Sequence, residues 1–395
     1  MHCTAVQGHL SPRYPVHRPR PRGSLLHYCS PTSCPPLISW SLEAVGDLLR
    51  LIYLLKTCAA SWKEGILSLE AGSGLGTLHR LMRQNPTLFQ DSAGGGSSRL
   101  SAYAIYSCIS CFLVSHGHLD HVNGLVLSAG ALANPPDSQR RRIYAARNTL
   151  EDLETLFSDR LWPSLASWKE DDDLHKLLYD PLAFDDCYRE IFPDVSVRMM
   201  PTSHGSNGTI GNYRSSAFFI RHNPSSNEFL FFGDVEPDSV SGSPATLGVW
   251  QAAAQLIPDT LTTIFIECSW PSGRTDEQLY GHLNPEHLLE ELTVLATEVV
   301  KSRLNRAVKR VVMEERKHKK RRTNGPPPIP AVSSNTLRGA LSGVRVYIIH
   351  CKDDLEDAFD RPINHVIRDQ VKTLVEMKGL GAEILSADQG TRIVI

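Results

Sequence analysis

SHGHLDHVNGL, Ser115–Leu125, places His116, His118, Asp120 and His121 within six positions. Behind it runs YSCISCFLV (Tyr106–Val114), an apolar stretch of strand-forming residues. One histidine at a strand end is ordinary polar surface. Three histidines and an aspartate on the turn after a buried strand have no structural purpose of their own. Without a ligand they would gather partly desolvated polar groups that need partners. Imidazole and carboxylate suit Zn²⁺, Mn²⁺ or Fe. HxHxDH therefore reads as part of a metal site.

One turn cannot enclose two ions, so further ligands are expected at other strand ends. His204 closes VSVRMMPTSH, Asp234 closes EFLFFGD and His350 closes VRVYIIH. Each follows a run rich in β-branched or aromatic residues. Neutral imidazoles and carboxylates arranged this way make a two-metal site, with Asp234 as the bridge. His282, in LYGHLNPEHLLEEL, stands just before a helix whose cap and first residue read as Asn284 and Pro285. It is a candidate ligand, substrate contact or proton donor. His287, one turn into that helix, reads as surface.

The rest of the chain points to an α/β protein. GILSLEAGSGLGTLHRLM (Gly65–Met82) reads as strand, glycine turn and helix, and strands then alternate with amphipathic helices such as TLEDLETLFSDRLWP. The 395 residues are 41% hydrophobic and carry a net charge of −2, which disfavours a polyanion partner for the surface as a whole. Nine cysteines lack framework spacing, and Cys108 and Cys111 of CISC read as buried thiols rather than a redox pair. No apolar run is long enough to span a membrane, and no secretory signal is readable, so a cytoplasmic location is expected. Residues 1–44, rich in Pro, Arg, His and Ser, read as a disordered or atypical N-terminus before a domain at 45–395. Within that domain, 301–334 is a basic, proline-ended insertion. Its centre, KHKKRR (317–322), is a candidate nuclear-import patch; nucleic-acid binding by Lys301–Arg322 is disfavoured because no aromatics are interleaved.

HGHLDHVNGLVLSAG (His116–Gly130) resembles the signature of the class II cyclic-nucleotide phosphodiesterases, the low-affinity cAMP phosphodiesterase family of fungi. HxHxDH alone marks only the metallo-β-lactamase superfamily; the added LDH and GLVLSAG narrow it. YLLKTCAASWKEGILSLEAGSGLGTL (Tyr53–Leu78), LWPSL, PTSHG, FFGDVEPD, IECSW and IIHCK are similar to further blocks of the family. The resemblance implies a metallo-β-lactamase-like αββα four-layer sandwich. It implies two zinc ions, with Mn²⁺ or Fe as alternatives. His116, His118 and His204 would hold one ion, Asp120, His121 and His350 the other, and Asp234 would bridge them.

The implied activity is hydrolysis of a 3′,5′-cyclic nucleotide, cAMP foremost, to the 5′-monophosphate by a metal-bound hydroxide. Asp120 would orient the nucleophile, and His282 would contact the phosphate or protonate the leaving oxygen. The only partner implied is this small-molecule substrate; a homo-oligomer is compatible with the sequence. The alternatives are another hydrolase of the same fold, acting on thioesters, lactams or RNA ends, or an impaired homologue that binds metal or nucleotide without turnover. Two features depart from the family. The usual first strand and its LGxxGGP-type glycine loop are missing or replaced, and Glu70 of LEAGS stands where an aspartate is usual.

Overall fold

Near-continuous apolar runs such as EFLFF (Glu228–Phe232) bury both faces of the central strands, one against the other sheet and one against helices, and this builds four layers. The computed structural model describes residues 40–44, 52–57, 65–89, 100–133, 140–209, 211–318 and 333–395. The first part of the chain supplies strands Trp40–Ala44 (β1), Tyr53–Thr57 (β2) and Ile66–Leu69 (β3), then helices Leu75–Gln84 (α1) and Ala102–Ser107 (α2). Strand Ile109–Leu113 (β4), helix Leu119–Ser128 (α3), strand Arg141–Ala146 (β5) and helix Arg147–Leu156 (α4) come next, followed by strands Ala166–Ser167 (β6) and Leu177–Leu182 (β7).

The second part supplies strands Arg189–Phe192 (β8), Val195–Asn207 (β9), Gly211–His222 (β10) and Glu228–Phe232 (β11), then helix Thr246–Ala253 (α5). Strand Leu261–Glu267 (β12), helix Pro285–His318 (α6), strand Arg345–Ile349 (β13), helix Ile363–Lys378 (α7) and strands Glu383–Ser386 (β14) and Arg392–Val394 (β15) complete it. One sheet has the order β15-β1-β2-β3-β4-β5-β7-β6, the other β14-β13-β12-β11-β10-β9-β8.

β11 shows how the layers form. Phe229 and Phe231 face the space between the sheets, where they meet Tyr53, Phe218 and Phe265. Leu230 and Phe232 face the opposite way, into a core with Trp250, Leu288 and Val371 from α5, α6 and α7. The first sheet has a matching outer core against α1 to α4, including Leu81, Ile105, Leu125 and Leu153. The result is the αββα sandwich.

In the first sheet β3, β4, β5 and β7 run parallel; in the second, β11, β12, β13 and β14 do. Parallel strands finish on the same edge of their sheet, so the chain leaves β4, β11, β12 and β13 where ligand-type residues can gather.

Several sequence expectations change in detail. Trp40–Ala44 is not left outside the sheet: β1 pairs antiparallel with both β2 and β15. The apolar run before His116 is not strand throughout: Tyr106 and Ser107 end the helix Ala102–Ser107, and Ile109–Leu113 is the strand; Ser101 caps the helix by accepting from Ala104 N. Cys111 is a buried thiol donating to Ile191 O, and Cys108 is half-buried. The basic segment begins as a continuation of α6, which runs to His318. Residues 1–39 and 319–332 lie outside the described residues, with most of KHKKRR among them. Among the described residues no helix is long and apolar enough to cross a membrane.

Candidate metal centre

His116 and His118 lie on the segment after β4, and Asp120 and His121 on the first turn of α3. The opening motif is thus half loop and half helix, with His118 at the N-cap. A helix N-terminus favours the Asp120 carboxylate. Asp234 follows β11, Glu267 is the last residue of β12 and His350 follows β13. His204 is not at a strand end, because β9 continues to Asn207 and pairs on with Gly211 of β10. It reaches the site from within the strand. His282 precedes α6, where Asn284 Oδ1 accepts from His287 N at 2.9 Å as the helix cap.

Two glycines let these segments approach. A Cβ on Gly233 would lie 2.3 Å from Ser115 Cβ, so only glycine lets the end of β11 pass the turn carrying His116. A Cβ on Gly117 would come within 2.8 Å of Asp152; this glycine serves close packing, and its backbone is not in the left-handed region.

All seven residues read as ligands come together, in two groups that share Asp234. In the first, His118 Nδ1 is 3.1 Å from His116 Nε2 and 3.2 Å from His204 Nε2. Asp234 Oδ2 lies 3.4 Å from His204 Nε2 and 3.6 Å from His116 Nε2. In the second, Asp234 Oδ1 lies 3.2 Å from Nε2 of both His121 and His350. Asp120 Oδ2 is 3.5 Å from His350 Nε2 and 3.9 Å from His121 Nε2. Tetrahedral bonds of about 2.0–2.1 Å put ligand atoms roughly 3.3 Å apart. The two groups have that spacing, and each takes one oxygen of Asp234.

The outer nitrogens support the same reading. His204 Nδ1 donates to Gly281 O at 2.8 Å, His116 Nδ1 is 3.0 Å from Ser115 Oγ, and His121 Nδ1 is 3.3 Å from Glu70 Oε2. Holding the proton on Nδ1 leaves the Nε2 lone pair facing inward. Tyr213 stacks on His118 with planes 2° apart, accepts from Gly117 N at 3.2 Å and lies 3.4 Å from Asp152 Oδ2. It sits in the irregularity where β10 slips register against β9, a device that re-aims a side chain.

Glu70, Asp234 and Glu267 are all buried, and such carboxylates are costly without nearby positive charge. Burial pushes Asp234 up, but the imidazoles of His350 and His121 outweigh it and hold the carboxyl well below its ordinary range. Burial pushes His121 down, yet Asp234 and Glu70 prevail and raise it well above the usual value. Burial, reinforced by His204, lowers His118 to about 4. Asp234 Oδ1 and His121 Nε2 are buried without a hydrogen-bond partner. Orphaned inward atoms, matched spacing and an all-imidazole-and-carboxylate donor set fit a pair of divalent ions.

Sequence reasoning missed three neighbours. Glu267 Oε1 and Oε2 lie 2.9 and 3.1 Å from His282 Nδ1, and Oε1 also accepts from Val235 N at 2.7 Å. It closes LTTIFIE as Asp234 closes its own run, so the strand-end rule, extended to glutamate, finds it. Tyr213 and Lys352 carry no comparable local signal. His287 is buried rather than surface, with Nε2 3.3 Å from Asp276 Oδ1.

Beside the first group opens a cleft of about 370 Å³, lined by His118, His204, Tyr213, Glu236 and Tyr280 among others. Small-molecule sites measure roughly 300–1,000 Å³.

The family described as "cAMP phosphodiesterases class-II" matches residues 84–390. The chain belongs to the class-II cAMP phosphodiesterases. Proteins of this family are hydrolases, and the chain is therefore an enzyme by descent. It is 33% identical over 254 residues to a 3′,5′-cyclic-nucleotide phosphodiesterase of Schizosaccharomyces pombe, covering 60% of this chain and 68% of that one. It is 28% identical over 342 residues to a 3′,5′-cyclic-nucleotide phosphodiesterase of Aliivibrio fischeri, covering 86% of each. The crystal structure of unliganded yeast PDE1 superposes with a TM-score of 0.69 at 21% identity, over 91% of this chain and all of that one, which establishes the shared fold.

Proposed function

We propose that this class-II phosphodiesterase hydrolyses 3′,5′-cyclic nucleotides, cAMP foremost, to 5′-monophosphates, with zinc at both positions. The observation that carries it is the division of Asp234, whose Oδ2 faces His116 and His204 while Oδ1 faces His121 and His350. His118 completes the first set of ligands and Asp120 the second. Zinc is favoured over harder ions because five of the seven donors are imidazoles. Two such ions would supply an activated water and offset charge on the phosphoryl oxygens.

The protein's own groups do the rest. The water's oxygen bonds to phosphorus, the bond from phosphorus to O3′ breaks, and O3′ needs a proton. His282 is the donor. Glu267 accepts its Nδ1–H, which leaves Nε2 to exchange the proton. Burial pushes His282 down, but the charges of Glu267 and Asp234 outweigh it and keep the ring disposed to hold a proton. Asp120, at the mouth of the second group, orients the attacking water. The cleft beside His118 takes the nucleoside, with Tyr213 and Tyr280 offering ring faces to the base.

A cytoplasmic location goes with this activity and with the free thiols of Cys111, Cys187, Cys268 and Cys351. Purified protein incubated with cAMP tests the proposal: 5′-AMP is the expected product, and 3′-AMP or no product contradicts it.

A further inference from the structure

The end of β13 brings a second side chain to the metal centre. His350 has a left-handed backbone, φ 57°, and Lys352 stands two residues on. Ser269 ties this corner down: its Oγ donates to His350 O at 2.8 Å, and its carbonyl accepts from Lys352 N at 2.9 Å. So anchored, Lys352 Nζ donates to His350 Nε2 at 2.9 Å and reaches Asp120 Oδ2 at 3.4 Å. Lys352 is largely buried, and Asp120 is more open toward the mouth.

We infer that Lys352 is a phosphate-binding residue of this site. This rests on the cyclic-nucleotide reading and adds a residue to it. The ammonium now shares the very atom, His350 Nε2, that the second ion would engage. An ion bound there removes that acceptor and repels a positive charge beside it. The backbone anchor at Ser269 keeps the lysine at the centre, so its freed donors turn to the anions at the mouth. Asp120 Oδ2, 3.4 Å away, takes one of these donors, and the others are free for the cyclic phosphate, whose non-bridging oxygens would gain charge as water attacks. An ammonium there stabilises that charge and persists in contact with the 5′-monophosphate product.

The test uses the full chain loaded with zinc, as parent, Lys352→Met and Lys352→Arg. Metal per chain is measured first, then calorimetric affinity for 5′-AMP and for adenosine, which lacks the phosphate. We expect unchanged metal content and unchanged adenosine affinity. In Lys352→Met, 5′-AMP affinity falls about ten- to a hundredfold, the scale of one charge-assisted hydrogen bond, and Lys352→Arg recovers part of it. Parental 5′-AMP affinity in Lys352→Met overturns the inference. So does loss of zinc from that variant, which would make the lysine a support of the centre. Failure of the parent to hydrolyse cAMP would strike the proposed activity instead, and is read separately from the binding ratio.

Discussion

Glu267 holds His282 with both carboxylate oxygens, 2.9 and 3.1 Å from Nδ1, in a site where both side chains are buried. Burial pushes Glu267 up, but the neighbouring imidazole prevails and holds it below its ordinary range, so the pair favours carboxylate and imidazolium. If His282 delivers the proton to O3′, its replacement by alanine lowers kcat by about 10²–10⁴. Glu267→Gln, which keeps the shape and removes the charge, lowers it by about 10–100. Both variants should retain metal in elemental analysis. A substrate whose leaving group needs no proton, such as a p-nitrophenyl phosphodiester, should largely escape the His282→Ala defect; equal loss on both substrates would remove His282 from that role.

Asp234 belongs to both groups of ligands, so its loss should be felt at both. In Asp234→Ala neither ion is expected to survive gel filtration, whereas His118→Ala, at the open edge, should empty only the first position. Metal-to-protein ratios by elemental analysis distinguish these outcomes. A full second position in Asp234→Ala would show that it does not bridge.

Tyr213 supports His118 by stacking, not by a bond to the ring. Tyr213→Phe should therefore keep most of the zinc affinity. Tyr213→Ala should lose about 10–100-fold, the usual cost of removing a residue that orients a ligand. Competition with a chromophoric chelator measures both.

Gly233→Ala puts a methyl group 2.3 Å from Ser115 Cβ and Oγ. Overpacking of this kind costs about 1–3 kcal/mol or more. The expected result is a lower midpoint in urea denaturation together with weaker metal retention, because the displaced turn carries His116. An unchanged midpoint would mean the turn yields freely.

The sequence made the two sheets readable wherever a short apolar run ended in a ligand-type residue, as at Asp234 and His350. It misled where one apolar stretch changed structure midway. YSCISCFLV has no break residue between the end of α2 and β4, and the boundary falls at Cys108, whose carbonyl accepts from Ile66 N of β3 at 2.9 Å, a contact no local pattern announces. β1 was hidden for a similar reason: WSLEA, Trp40–Ala44, is short and acquires its role only by pairing with the distant Arg392–Val394. His204 was found as a residue but placed at a strand end, because the continuation through Gly205 and Ser206 lacks strand-forming side chains. Tyr213 and Lys352 matter through contacts with His118 and His350 from other parts of the chain, and no local spacing announces such contacts.

The most direct test of the account is cAMP hydrolysis by the purified full chain, assayed as isolated, after chelation and dialysis, and after return of zinc, with metal content measured at each stage. The account predicts about two ions per chain and 5′-AMP as product in the first state. Activity should fall to background with the metal and return with it. Turnover that persists in fully metal-free protein, or two bound ions with no hydrolysis of any 3′,5′-cyclic nucleotide, would contradict it.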